Sequence, residues 1–219
     1  MKTRATLFFG LITLFALSCL TGCGDKIVRP LESAVPSAAE ASYPVELTQA
    51  DLAAFENNLN SEANYGFLLS AYADVRDVDM YQVFYIGAGM QPPANADEIR
   101  AASLATFTDG TPDCDCTILT SQQISSFLLS KTGYTLAEMS SSLSWSYIAD
   151  YDAYVHWHGD TNKVNVSCTG GRQITADTYE IEFEAPGGIY NETGDNYSGG
   201  TVNLRVADGS MQFISNSLR

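Results

Sequence analysis

Positive charge is scarce in this 219-residue chain: 11 Lys and Arg stand against 26 Asp and Glu, for a net charge of −15. Such a surface repels a phosphate backbone, whose affinity is assembled from Lys and Arg, and so excludes nucleic acid as an expected partner. Histidine is scarcer still, with two residues. No G-x-S-x-G elbow and no H-E-x-x-H helix occurs, so the common hydrolase signatures are missing. The acidic clusters Asp74, Asp77, Asp79 and Asp109, Asp113, Asp115 lack EF-hand spacing with its closing Glu, and read as solvated loops. No internal repeat stands out. Long apolar runs are missing too, apart from Leu7 to Leu17, which falls short of the roughly 20 residues a transmembrane helix needs.

That single run sits behind Lys2 and Arg4 and ahead of small residues, the charged, apolar, small order of a secretory signal. It closes on Leu20-Thr21-Gly22-Cys23, which resembles the lipobox of bacterial lipoproteins. Cys19 is the rival acceptor, but Leu17 puts bulk where that pattern wants a small residue. The resemblance implies cleavage after residue 22 and diacylation of the Cys23 thiol; two acyl chains give a stable anchor where one is marginal. An extracytoplasmic protein bound to a membrane through Cys23 is expected. Gly24, rather than Asp, after the modified cysteine implies the outer membrane of a two-membrane host or the outer face of a single membrane. Loss of residues 1–22 removes two cations and no anions, taking the charge from −15 to −17.

Residues 23–42 are small, Pro-broken and without periodicity, a flexible tether. Residues 43–219 suit a single domain. Its three cysteines, Cys114, Cys116 and Cys168, lie in a compartment that permits disulfides, and a bridge from Cys168 to Cys114 or Cys116 is expected because closing a long loop constrains the unfolded chain most. A soft-metal or redox role for the Cys114-Asp115-Cys116 pair is the rival.

Capping signals place helices. Thr48 with Asp51 starts one whose Leu52, Phe55 and Leu59 share a face; Asn95 with Glu98 starts another before Ile99 and Leu104. A buried segment is expected at Tyr65 to Tyr72 and a short helix at Met80 to Ile86, stopped by Gly87 and Gly89. Thr120 with Gln123 and Thr135 with Glu138 predict an αα-hairpin, Ser121 to Lys131 and Leu136 to Leu143, turning at Gly133. After Trp145 the period changes to two. Strands are expected within Ser146–His158, Val164–Cys168, Thr178–Ala185, Thr201–Ala207 and Met211–Ser215, with turns at Asp160–Lys163 and Asp208-Gly209 and a long polar loop over Gly187–Gly200. Helices followed by an antiparallel meander make an α+β fold.

The candidate chemistry centres on Asp150 to Asn162. Drawn as a strand, it puts Asp150, Asp152, Tyr154, His156, His158 and Asp160 on one face and Tyr151, Ala153, Val155 and Trp157 on the other, the expected core face. Two imidazoles at that spacing, with Asp152, are a candidate zinc or copper site. Tyr190 and Tyr197 in the long loop are candidate contacts for a sugar ring or a protein surface. The segments Tyr65–Ser70, Val83–Gly89 and Asp152–Asn162 resemble small uncharacterised lipoproteins of gut-type Gram-positive bacteria. The element order is similar to cone-shaped domains of the nuclear-transport-factor-2-like type, which implies helices packed on one curved sheet. The leading expectation is a non-enzymatic binding module on the cell envelope. Behind it stand a metal-binding protein using His156 and His158, and then an envelope hydrolase.

Overall fold

Thr48 opens helix α1 (Gln49–Leu59) with a complete capping box: Asp51 N donates to Thr48 Oγ1 while Thr48 N donates to Asp51 Oδ2. Leu52 and Leu59 are buried as the spacing predicts. The computed structural model describes residues 42–108, 112–159, 163, 165–190 and 196–219. The signal segment, Cys23 and all but the last residue of the tether lie outside them, as do Asp109 and Asp160. Ala41–Arg219 form one unit, and no described helix is long and apolar enough to cross a membrane.

After α1 come α2 (Glu62–Tyr65), a tight turn that buries Phe67 and Leu68, α3 (Met80–Phe84) and α4 (Ala96–Leu104). The acidic stretch ahead of α3 has local work to do. Asp74 pairs with Arg76 and caps a 3₁₀ turn, and Asp79 accepts from Tyr81 N to cap α3. Gly66 is fixed by a close approach, since a Cβ there would meet Val83 Cα at 2.5 Å and Gln82 O at 2.7 Å. Helix α5 (Ser121–Thr132) carries the predicted box at Thr120 and ends at Gly133 in the left-handed region, φ 81°. The second arm of the expected αα-hairpin does not form. The Thr135–Glu138 box closes only a 3₁₀ turn, Leu136–Glu138, because the following serines are poor helix formers and the Ser140 and Ser141 amides both turn to Arg76 O.

The α+β class and the C-terminal meander are as expected. The meander is β5 (Ser167–Gln173), β6 (Thr178–Tyr190), β7 (Asn196–Ala207) and β8 (Ser210–Leu218), with β1 (Val45–Glu46) added outside β5, all antiparallel. Asp208-Gly209 makes the predicted two-residue turn, both residues at positive φ. The strands do not form one curved sheet, however. A second sheet, in the order β2-β4-β3, joins β2 (Asp115–Thr120), β4 (Ala153–His158) and β3 (Ser146–Ile148). β2 lies inside the helical half and was not expected as a strand, although Thr117 and Ile118 are β-formers.

The main core joins both sheets to the helices through Leu59, Phe67, Phe84, Leu119, Ile124, Leu128, Trp145, Ile181, Phe183 and Phe213. Phe67 stacks on Phe213 with centroids 4.2 Å apart. A smaller cluster of Ile99, Ile118, Ala153 and Val155 lies where α4 covers the three-stranded sheet.

Candidate functional site

β4 alternates as its sequence predicts and the face expected to be core is buried, but the expectation for the opposite face needs correcting. Ala153 and Val155 are buried, with Trp157 beside them, in the smaller cluster under α4. The other face, expected to be solvated and polar, packs on the main core through Tyr154. α3 and the segment after it supply the second cover. His156 consequently sits in an aromatic box: Tyr81 at 4.8 Å, Tyr85 at 5.1 Å and Trp145 stacked at 5.1 Å, centroid to centroid. Its Nε2 is enclosed without a hydrogen-bond partner, and so is Trp145 Nε1. Burial pushes the His156 imidazole down to about 4, and the charge of His158 adds to the shift.

His158 lies beside it, with ring centroids 5.3 Å apart. Nδ1 is 2.9 Å from Gly159 O, and because a carbonyl only accepts, Nδ1 carries the proton there. Nε2 is 2.8 Å from Thr117 Oγ1, which donates to it in the neutral ring. The structure thus brings the two histidines together, yet both nitrogens of His158 are engaged.

Asp152, the third residue of the candidate metal site, is placed elsewhere. It precedes β4 in the left-handed region, φ 47°. Its Oδ1 accepts from Ser121 Oγ at 2.5 Å and from Tyr147 OH at 2.8 Å, bonds that hold its carboxyl below the usual carboxylate range. Among the described residues no group of three His, Cys, Asp or Glu is arranged to hold a metal ion. Thr117 and His158 have the donor and acceptor sense of a nucleophile and base, but Thr117 sits mid-strand with its methyl near Gly87.

The expected disulfide is not present. Cys114, Cys116 and Cys168 are free thiols, Cys116 in the three-stranded sheet and Cys168 in the five-stranded one. Burial, with the nearby Glu56 carboxylate, pushes the Cys168 thiol up to about 12, which disfavours its thiolate. Burial also raises Cys116.

The loop expected over Gly187–Gly200 is mostly strand. β6 runs to Tyr190 and β7 begins at Asn196, with Ile189 opposite Tyr197 and Tyr190 opposite Asn196; Asn191 and Asp195 lie outside the described residues. Tyr190 is 62% exposed and its hydroxyl accepts from Asn196 Nδ2 at 3.4 Å. Tyr197 instead packs on the main core, so it does not share that exposure.

Sequence reasoning missed Thr117, Tyr81, Tyr85, Trp145, Ser121 and Tyr147. One signal was available: Tyr81 and Tyr85 are four apart and so share a helical face. Comparison with protein-family models, with curated proteins and with solved structures found no match.

Proposed function

We propose that this chain is a lipid-anchored binding module of the cell envelope, held on the membrane through acylated Cys23 and presenting residues 43–219 outward. The observation that carries the binding half is Tyr190, a large amphipathic ring 62% exposed at the end of a paired strand. Tyrosine supplies rigid contact area at small entropic cost, having two χ angles, and its hydroxyl adds a polar handle. The anchoring half rests on the lipobox.

Two measurements test the two halves. The full chain should fractionate with membranes and take up labelled fatty acid, and Cys23→Ala should move it to the soluble fraction. A variant that stays in the membrane fraction would remove the anchor. Full-length protein should sediment with washed cell-wall fragments, and Tyr190→Ala should reduce sedimentation severalfold while leaving the urea midpoint unchanged. Equal sedimentation would clear Tyr190 of a contact role.

A metal-binding reading keeps one observation, the unpartnered His156 Nε2 beside a second imidazole. Ligation by His158 would require it to release Thr117 or Gly159. Stoichiometric zinc or copper in the full chain, lost in the His156→Ala, His158→Ala double variant, would establish it.

A further inference from the structure

We infer a saccharide subsite for a neutral pyranose unit at the corner made by Tyr147, Tyr154, Asp152 and Ser121. It rests on the binding-module reading, names a ligand class for it, and lies in the three-stranded sheet rather than at Tyr190.

β3 is an edge strand of that sheet, and in register Tyr147 faces Tyr154 across it, with ring centroids 5.0 Å apart and planes inclined at 49°. Tyr154 is packed on the core from behind, while Tyr147 is 50% exposed, so one ring backs another that is open to solvent. The Tyr147 hydroxyl is tied to Asp152 Oδ1, which fixes the ring's position.

Asp152 is itself over-determined. Its backbone N donates to Ala149 O at 3.2 Å, its carbonyl accepts from Ser121 N at 2.9 Å, and both side-chain donors converge on the one oxygen, Oδ1. Among the described residues Oδ2 carries no bond. Left-handed backbone at a non-glycine residue is unfavourable and persists where the surroundings hold it. The result is an oriented carboxylate oxygen, exposed and acceptor-only, beside a half-exposed aromatic ring.

Those two features match a pyranose. Its apolar C–H face lies against an aromatic ring, and its hydroxyls donate to a fixed carboxylate. Asp150 stands two residues away on a chain of net charge −15, which disfavours uronate- or phosphate-bearing sugars and selects neutral hexose units. A hexose can reach Oδ2 without disturbing Ser121 or Tyr147, because both are bound to the other oxygen.

The test is isothermal titration of the full chain, held in a detergent without a sugar headgroup, with cellohexaose, with mannohexaose and with oligogalacturonate. At least one neutral hexasaccharide should bind at millimolar concentration or below, and oligogalacturonate should not. Tyr147→Ala should weaken binding about tenfold. If Tyr147→Ala shifts the urea midpoint, Tyr147→Leu keeps the bulk without the aromatic face and should show the same loss. Absence of binding by both neutral sugars, equal binding by the Tyr147 variants, or preference for oligogalacturonate would overturn the subsite. Were the sugars to fail while wall fragments still sediment in a Tyr190-dependent way, the subsite would fall and the module reading would stand. Sugar binding with no Tyr190 dependence of sedimentation would do the reverse for the hairpin.

Discussion

An imidazole enclosed by Tyr81, Tyr85 and Trp145 resists taking a proton, and this gives His156 a thermodynamic signature. Its folded pKa is about 4, against an ordinary 6.5. As pH falls, the unfolded chain therefore binds the proton first, so the contribution is complete above about pH 6.5 and is lost as pH falls toward 4. Full conversion of that shift is roughly 3 kcal/mol; the ring is only partly buried, so solvent screening reduces the expected loss to about 1–2 kcal/mol. Urea unfolding at about pH 7 and about pH 4.5 should show this drop in the wild type and a smaller one in His156→Phe. Equal drops would place the acid sensitivity elsewhere. Period-two alternation was enough to put both histidines on one face. It could not tell which face would be covered, because that depends on where α3 and α4 dock, and neither docking is written into β4 itself.

Elements with local start and stop signals were the most legible. Thr48, Thr120 and Gly133 act as read because a cap needs only its neighbours. The Thr135 box shows the limit of such a signal: it satisfies two backbone amides but cannot extend a helix through Ser140 and Ser141, whose amides have a distant carbonyl to reach. β2 was illegible for the opposite reason. Its partner β4 lies more than 30 residues on, and pairing at that range leaves no local mark beyond β-branched side chains. The meander was easier, and its hairpin was longer than the glycine-rich sequence suggested. Pro186 falls in the stretch of β6 beyond its last β5 pair, Ser167 with Glu184, and inside the register shift toward β7. A proline there, lacking a donor, blunts an open edge. Pro186→Val should raise the aggregation rate in concentrated solution, read by light scattering, with little change in the urea midpoint; unchanged scattering would show that the edge is already protected.

At the scale of the whole molecule, burial is divided unequally. The main cluster joins both sheets to the helices, whereas Ile99, Ile118, Ala153 and Val155 form a satellite under α4. Ile99 is fully buried there, so Ile99→Ala should cost about 2–4 kcal/mol. Because the satellite has few members, amides of α4 and β2 should exchange by local opening in that variant while those of β6 and β7 remain protected. Uniform loss of protection would mean that the two clusters unfold as one.

Asn216 joins the first and last parts of the unit: its side chain donates to Leu68 O and Ser70 O, and its backbone exchanges bonds with Tyr72, across sequence separations of up to 148. Closing so long a loop is slow, and it leaves the Phe67 and Leu68 segment without its final partner until β8 has been made. A chain built this way cannot complete its main core until its last strand, which carries Phe213, has been made.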